Sequence, residues 1–392
     1  MKNLHTLPSY CLPDALKVKD GEFAIQDVPL VEILEQFGTP LYVYDSLSIL
    51  HQIEQLQTHF TAFSPFYSVK ANNSLAIAQL IAQSGLGAEL ASGGEITLAK
   101  QAGFSYDQMT FAGPGKTDAE LTAAIDAGIK AINAESVNEI KRINDIAKRL
   151  NKKANVCIRV NLNSGTKESP EIMTGLASKF GIDEDEVFDV VDPAAYPHVD
   201  FLGYHVYTAS QILSIGEIAD NFRLCLAFAE KWLAHGWPLR LISFGGGFGI
   251  PYNADDTPLD MPQLAAALEG VKQVSPLKNR EEVEIVLELG RYIVGHSGMF
   301  ITTVLDVKES KGEHFIITDG GINAFHRPKL MNLNHPSFVL EQVGQVCAIK
   351  ASINGPLCTP IDVIAVPDDR PNVEVGDHII FLNAGAYGYS LS

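Results

Sequence analysis

The chain has 392 residues, of which 46% are hydrophobic and 19% are charged, and its formal net charge at pH 7 is −18. This charge speaks against nucleic acid and anionic membranes as partners, because both are polyanions that proteins bind through Lys and Arg patches. No segment approaches the run of about 18 apolar residues that a transmembrane helix requires, and the N-terminus lacks the apolar core of an export signal. We therefore expect a cytoplasmic protein with two domains.

The five cysteines lack the paired spacing of zinc sites and disulfide-rich domains. We therefore expect no metal site and no disulfide framework. Four of them are interpreted as packing residues: Cys11, Cys157, Cys225 and Cys347.

Residues 1–38 contain a strand-like run, GEFAIQDVPL, followed by a helix-period run, VEILEQFG. We expect this segment to add one or two strands to a β domain further along the chain.

From residue 65 to residue 291, short β-rich runs alternate with stretches whose apolar residues recur every three or four positions. The β-rich runs are FYSVKAN (66–72), GAELAS (87–92), MTFAG (109–113), AINAES (131–136), NVCIRVN (155–161), FLGYHVY (201–207), LISFGGG (241–247) and EIVLELGR (284–291). Eight βα units predict an α/β fold, a closed (β/α)8 TIM-like barrel over residues 39–298. An open doubly wound sheet would carry a Gly-rich dinucleotide turn after its first strand, and SVKANNS is not such a turn.

After residue 298 the pattern changes to strands and turns without intervening helices. This pattern predicts an antiparallel, all-β C-terminal domain over residues 299–392, which the N-terminal segment 1–38 joins.

The reactive groups of a βα barrel collect at the C-terminal ends of its strands. A lysine amine in a partly desolvated site forms a Schiff base with an aldehyde, and a glycine run leaves backbone N–H groups free to bind a phosphate. A buried glutamate is suited to pair with a protonated ring nitrogen, and a histidine to stack on the ring. These residue types predict pyridoxal 5'-phosphate as the cofactor. The predicted strand ends carry Lys70, Glu89, Arg159, His205, Ser210, Gly245, Gly246, Gly247, Glu288 and Arg291.

Each of these residues also has an ordinary structural interpretation. Lys70 taken alone resembles a snorkelling surface lysine, and Glu288 with Arg291 resembles a structural ion pair. The glycine run fits a turn at a barrel corner, and His205 and Arg159 fit a hydrogen-bonded barrel interior. Their joint occurrence at the strand ends of one barrel favours the cofactor interpretation.

The motifs resemble those of the group IV decarboxylases of the alanine-racemase-like fold, which include diaminopimelate, ornithine and arginine decarboxylases. The shared motifs are YSVKAN, GAELASGGE, HVYTASQ, GGGFG, ELGR, TDGGINAFHRP, GPLCTPID and GAYG. The resemblance runs from LYVYD at residue 41 to GAYGYS at residue 385. It implies a barrel that binds pyridoxal phosphate, followed by a β domain.

The resemblance also implies roles for individual residues. Lys70 is implied to bond the cofactor aldehyde, Glu288 to pair with the pyridine nitrogen and His205 to stack on the ring. Cys358 is implied to return a proton to the substrate after carbon dioxide leaves, acting in the site of the neighbouring subunit, so we expect a homodimer with shared active sites. Glu89 and Arg159 are placed near the cofactor, and the implied phosphate ligands are Ser210, Gly245, Gly246, Gly247, Arg291 and Tyr387.

Four departures from the diaminopimelate decarboxylase pattern narrow the range of expected substrates. The usual CES, whose glutamate holds the distal ammonium, is CTP here, with Thr359. The tyrosine that usually follows RP is Met331, HIGSQ becomes the longer HVYTASQ, and the proline of EPGR is Leu289. These departures resemble the subgroup that acts on conjugated substrates, such as glutamyl groups on a carrier protein or citryl-diaminopropionate in siderophore assembly. Arg327 of the RP pair is suited to bind a substrate carboxylate.

Three alternatives remain at this point. Diaminopimelate decarboxylation in lysine biosynthesis is the first. Amino-acid racemisation is the second, although racemases of this fold place an arginine at the pyridine nitrogen, where this chain has Glu288. A non-catalytic cofactor carrier or pseudo-enzyme is the third, and the presence of Lys70 and Cys358 argues against it.

Overall fold

The computed structural model describes residues 16–19, 22–165, 171–253, 255–343 and 349–392, so Cys11 and Cys347 lie outside the described residues. Contacts divide the chain into two compact units. The barrel unit comprises Gln52–Gly249 and Leu259–Gly290, and the β unit comprises Met1–His51, Ile250–Pro258 and Arg291–Ser392. This division differs from the predicted boundaries, since residues 39–51, 250–258 and 291–298 group with the β unit.

The N-terminal strands of the β unit form a sheet of their own. They are β1 (Leu16–Lys19), β2 (Glu22–Ile25) and β3 (Val28–Pro29), and α1 (Leu30–Phe37) follows them. We expected this segment to add one or two strands to the β domain, and its strands do lie in the β unit, as a separate sheet that packs against the C-terminal one. Phe23 and Leu34 share an apolar cluster with Met299 and Ile380. The next strand, β4 (Leu41–Tyr44), does pair with the C-terminal sheet.

The predicted (β/α)8 barrel is confirmed. Each barrel strand pairs in parallel with the next, and the sheet closes between its last and first strands. The barrel strands are β5 (Ser64–Ser68), β6 (Gly87–Leu90), β7 (Met109–Phe111), β8 (Ala131–Ala134), β9 (Ala154–Asn161), β12 (Val199–His205), β14 (Leu241–Gly246) and β15 (Glu284–Leu289). Three short strands flank them: β10 (Glu171–Ile172), β11 (Ile182–Asp183) and β13 (Ala209–Ser210).

Most helices of the barrel begin where a side chain caps their first turn. Ser92, Ser136, Ser214 and Asp260 each accept a backbone N–H bond three residues ahead, and Thr117 forms a full capping box. The helices are α2 (Ser46–His59), α3 (Leu75–Gln83), α4 (Gly93–Ala102), α5 (Asp118–Ala127), α6 (Val137–Arg149), α7 (Val187–Val190), α8 (Ile215–Ala234) and α9 (Met261–Gln273). Of these, α3 and α7 begin without such a side-chain bond.

The barrel interior contains an apolar layer. Phe66, Ala131, Cys157, Leu241 and Val286 come from five different strands and form one buried cluster. Because side chains alternate along a strand, residues two positions further on face the same interior. The apolar layer therefore fixes which residues point inward at the C-terminal ends of the strands.

The C-terminal sheet is built on the long strand β16 (Gly298–Ser310), which follows α10 (Arg291–Val294). The other elements of this part of the chain are β17 (Glu313–Thr318), α11 (Arg327–Met331), β18 (Ser337–Val339), β19 (Ile349–Asn354), β20 (Val363–Arg370) and β21 (His378–Phe381). The strand order of the sheet is β18-β21-β16-β17-β19-β20, and β4 also pairs with β16. We expected antiparallel pairing throughout, but β17 and β19 are parallel, because the connection between them passes through α11 and β18.

Among the residues that the structure describes, none of the helices is long and apolar enough to cross a bilayer.

Leu241→Ala tests the apolar layer. Leu241 is buried in the barrel interior, so we expect the substitution to lower the free energy of unfolding by about 2–5 kcal/mol through lost burial and a residual cavity. Leu176→Ala removes an exposed leucine of the same unit and is expected to change stability by less than about 0.5 kcal/mol. Equal losses in the two variants, measured by denaturant unfolding, would contradict the packing described above.

Candidate active site

Every barrel strand contributes one buried polar residue to the interior. Residues directly opposite each other in paired strands face the same side of the sheet, and the register links all eight positions to the apolar layer. All eight side chains are buried. We call them the interior polar set: Ser68, Glu89, Thr110, Asn133, Arg159, His205, Ser243 and Glu288.

Lys70 lies just past the end of β5, in a one-turn 3-10 helix over Val69–Ala71 rather than in the strand itself. Its Nζ contacts both carboxylate oxygens of Glu89, at 2.9 and 2.8 Å. It also lies 5.9 Å from the centre of the Tyr207 ring. The Lys70 side chain is 37% exposed, whereas that of Glu89 is fully buried. The amine is therefore accessible, and a buried carboxylate fixes its position.

A second carboxyl group, that of Glu95, lies close to this pair. Burial and the Glu89 charge raise the pKa of Glu95, the Ala91 N–H bond and the Lys70 charge lower it, and the net result is a pKa of about 7. Near neutral pH, Glu95 therefore exchanges a proton within the electrostatic reach of Lys70.

Glu288 and His205 form a buried pair across the interior. Glu288 Oε2 lies 3.1 Å from His205 Nε2, and Glu288 Oε1 accepts a 2.7 Å bond from Ser243 Oγ. Burial alone would raise the pKa of Glu288, but His205, Lys70 and the Ser243 hydroxyl outweigh it and lower the pKa to about 2. Glu288 is therefore a carboxylate at neutral pH, able to pair with a protonated ring nitrogen.

The turn at the end of β14 accepts only glycine. Gly245 and Gly247 have φ values of 76° and 72°, in the left-handed region that favours glycine. A Cβ on Gly247 would lie 2.2 Å from the Ala209 carbonyl oxygen, and one on Gly246 would lie 2.9 Å from that of Glu288. The turn therefore runs against the segment that carries Ser210, which is buried in β13.

Arg159 belongs to a buried network of charges. Its Nη1 contacts Glu135 Oε1 at 2.9 Å, and Glu135 Oε2 accepts the Gly181 N–H at 2.8 Å. Nearby, Lys116 Nζ donates to Glu139 at 2.9 Å and to the Asn133 carbonyl at 2.7 Å. Burial lowers the pKa of Lys116, and the Glu139 charge opposes this shift. These partners hold the Arg159 and Lys116 side chains in place.

In the β unit, two further predicted residues, Arg291 and Arg327, lie close to the rings of two tyrosines. Their guanidinium carbons lie 5.0 and 5.7 Å from the centre of the Tyr387 ring, and 5.9 and 5.4 Å from that of Tyr252. Tyr387 has a φ of 58°, which is rare for a residue with a side chain and is typical of functional sites. His335 packs against Tyr252, and burial together with Arg327 and Arg291 lowers the pKa of His335 to about 3. His335 is therefore neutral beside the two cations.

The remaining predicted residues of the β unit lie on two other elements. Cys358 is exposed on the turn that follows β19, and Thr359 beside it lines a cavity of about 630 Å³. Met331 is half-buried at the end of α11. The cavity is also lined by two lysines, Lys308 and Lys329.

Sequence analysis missed several of these residues. Three of them lie on the interior face of their strands: Ser243, Thr110 and Asn133. The two-residue alternation of side chains predicts such positions only when it is known which face of the strand points inward. Lys116 lies in the loop five residues after the end of β7, so its place near a strand end was the available indication. Tyr252 and His335 carried no comparable pattern, because they lie in irregular segments.

The barrel interior also contains buried polar atoms that lack a hydrogen-bond partner. Within the described residues these include His205 Nδ1, Thr110 Oγ1 and both amide atoms of Asn133. Buried polar atoms normally find partners, and these three residues belong to the interior polar set with Glu89 and Glu288, so the barrel interior is a candidate binding site. The described residues contain no cluster of metal-ligating side chains.

Together, a closed barrel with an accessible lysine amine, an ionised buried carboxylate and a glycine turn defines an enzyme that holds a small anionic aromatic aldehyde. Residues 47–295 match the family model described as the pyridoxal binding domain of the pyridoxal-dependent decarboxylases. The chain belongs to this family, the group IV decarboxylases, and is a pyridoxal phosphate-dependent decarboxylase.

Curated relatives span nearly the whole chain. A diaminopimelate decarboxylase of Aquifex aeolicus is 36% identical over 96% of this chain and 89% of its own length. An L-glutamyl-[BtrI acyl-carrier protein] decarboxylase of Niallia circulans is 35% identical over 94% and 88%, respectively. A 2-[(L-alanin-3-ylcarbamoyl)methyl]-2-hydroxybutanedioate decarboxylase of Staphylococcus aureus is 34% identical over 93% of each chain.

Solved structures show the same architecture. The crystal structure of diaminopimelate decarboxylase from Methanocaldococcus jannaschii superposes with a TM-score of 0.88 at 32% identity. The superposition covers 97% of this chain and 90% of that one.

Reductive trapping tests which lysine holds the cofactor. After borohydride reduction of the loaded enzyme, we expect the cofactor mass on the peptide that contains Lys70, and its loss in Lys70→Arg. Lys116 is the matched control, because it is also a barrel lysine but is fully buried and already bonded. A label on Lys116 would contradict the assignment.

Proposed function

We propose that this decarboxylase removes the α-carboxylate of an amino acid that is part of a larger conjugate. The observation that carries the proposal is Thr359, which stands where diaminopimelate decarboxylases have a glutamate that pairs with the distal ammonium. A threonine cannot supply that charge. The two relatives whose names describe a carrier-bound glutamyl group and a citryl-type amide support the proposal.

The surroundings of Thr359 also favour a larger and anionic substrate. Thr359 lines a cavity of about 630 Å³, whose size is typical of sites for drug-sized ligands. Its wall carries two lysines, Lys308 and Lys329, which suit carboxylate or phosphate groups, and one acidic residue, the buried Asp362. Diaminopimelate is the second candidate, because a diaminopimelate decarboxylase matches the chain at 36% identity.

When bound, pyridoxal phosphate supplies the electron sink that receives the electron pair of the broken Cα–carboxylate bond. Lys70 would hold the cofactor aldehyde, and Glu89 orients the amine of Lys70. Glu288, which is ionised at neutral pH, would keep the pyridine nitrogen protonated, and His205 would stack on the ring. Arg159, bonded to Glu135, braces the barrel interior near the cofactor. The proposed phosphate ligands are Ser210, Gly245, Gly246, Gly247, Arg291 and Tyr387.

We also propose substrate-binding roles for residues of the β unit. We assign Arg327 to a substrate carboxylate, and we place Met331 and Thr359 near the conjugate. Cys358 then returns a proton to Cα. Racemisation is disfavoured, because it requires a weaker electron sink than the Glu288 carboxylate provides.

We also propose a homodimer with shared active sites. Cys358 is exposed, and its neighbours Leu357 and Ile361 are 38% and 54% exposed. Large apolar side chains around an exposed functional group suit a surface that a second copy of the chain covers.

A substrate panel tests the substrate class. We expect carbon dioxide release from an aminoacyl carrier protein or a citryl-diamino acid, and a kcat/KM for free diaminopimelate that is about 10- to 100-fold lower, since the distal ammonium lacks a charged partner. Thr359→Glu is the matched variant and is expected to raise diaminopimelate turnover. Diaminopimelate as the best substrate of the unaltered enzyme would overturn the proposal.

Cys358→Ala tests the proton donor. We expect cofactor binding to persist while turnover falls by about 100- to 10,000-fold, or while the product shifts to an aldehyde with aminated cofactor. Mixing Cys358→Ala with Lys70→Ala subunits should restore part of the activity, because a mixed dimer contains one intact shared site. Unchanged decarboxylation by Cys358→Ala would remove the assignment.

A further inference from the structure

The Cys358 turn is held by the buried carboxylate of Asp362. Asp362 Oδ2 accepts the Leu357 N–H at 2.7 Å, and Oδ1 accepts the Ile322 N–H at the same distance. The Asp362 carbonyl oxygen also accepts the Gly355 N–H at 3.0 Å. Asp362 therefore connects three segments through hydrogen bonds: Gly355 at the start of the turn, Leu357 next to Cys358, and Ile322 in the segment that follows β17.

Two glycines leave room for this carboxylate. A Cβ on Gly321 would lie 2.4 Å from Asp362 Oδ1, and a Cβ on Gly355 would lie 2.4 Å from Oδ2. Both distances are shorter than a normal van der Waals contact, so only glycine, which lacks a Cβ, fits at these two positions beside the carboxylate. The Asp362 side chain therefore fills a space shaped for it.

The two bonds require a carboxylate in particular. An ionised aspartate presents acceptors on both oxygens, and bonds from backbone N–H groups to a carboxylate are stronger than those between neutral groups. An asparagine has the same shape but replaces one acceptor with an NH2 donor. Asp362→Asn would therefore break one of the two bonds while preserving the volume of the side chain.

The other bonds of the turn are local. Thr359 N–H donates to the Leu357 carbonyl oxygen at 2.8 Å, and Asp362 N–H donates to that of Thr359 at 3.3 Å. These bonds shape the turn but do not attach it to another part of the β unit. The Asp362 carboxylate does, through Ile322.

We propose that Asp362 is a positioning residue that holds the Cys358 thiol in its working orientation. The proposal rests on the proposed role of Cys358 as the proton donor. Proton transfer depends steeply on the position of the donor, so a small displacement of the turn costs catalysis without unfolding the protein.

The test compares Asp362→Asn with Asp369→Asn, which changes an exposed aspartate of strand β20. In the loaded enzyme, we expect Asp362→Asn to lower kcat by about 10- to 100-fold, with cofactor affinity and KM retained, and to raise the fraction of turnovers that end in aldehyde and aminated cofactor. The rate at which iodoacetamide alkylates Cys358, followed by mass spectrometry, should change in Asp362→Asn and stay unchanged in Asp369→Asn. A folded Asp362→Asn enzyme with unaltered kcat, product ratio and alkylation rate would overturn the proposal.

A second variant covers the case in which Asp362→Asn does not fold. Gly355→Ala places a methyl group 2.4 Å from Asp362 Oδ2 and 2.2 Å from the Gly321 Cα, so it disturbs the contact between the turn, the carboxylate and the segment that follows β17. Gly115→Ala adds a methyl group in open space and is the matched control. We expect only Gly355→Ala to alter the alkylation rate of Cys358 and the product ratio; equal behaviour of the two would count against Asp362. The alkylation rate does not depend on what the thiol does in catalysis. An active Cys358→Ala enzyme would therefore refute the proposed proton donor, while the alkylation data would still decide whether Asp362 positions the turn.

Discussion

The alternation of side chains along the barrel strands is the constraint on which the site depends. It places a polar residue from each strand directly above an apolar layer that contains Phe66, Leu241 and Val286. The apolar layer closes the barrel below, so that Glu89 and Glu288 lie in a dry environment. There the Lys70 amine and the His205 imidazole act on them more strongly than they would in water. The chemistry of the enzyme thus begins with the packing of residues that take no part in it.

The barrel keeps two kinds of buried carboxylate apart. Glu135 and Glu139 are bonded to Arg159 and Lys116, and these four charges balance within a network that braces the loops. Glu89 and Glu288 instead contact an accessible amine and an imidazole, groups suited to exchange partners when a cofactor binds. Burial alone therefore does not distinguish a working carboxylate from a structural one, and the identity of the partner does.

The barrel and much of the candidate site could be predicted from the sequence, because both leave short-range patterns in it. The eight β-rich runs and the residues at their ends are local features, and Lys70, His205 and Glu288 follow from them. The parallel pairing of β17 with β19 and the separate N-terminal sheet depend on long-range contacts that no local pattern encodes. The bonds from Asp362 to Leu357 and Ile322 are equally invisible in the sequence, since their meaning comes from two segments that meet only in the folded chain.

The β unit is discontinuous, and this has a consequence for how the protein is made. Strand β4 is synthesised early, but its partner β16 emerges from the ribosome only after the whole barrel sequence. During that interval β4 has an unpaired edge, and such edges bind other chains and promote aggregation. The barrel sequence is nearly continuous in the chain, so the barrel can fold before β16 is available to pair with β4. Synthesis therefore makes the barrel sequence available before the strand that completes the C-terminal sheet.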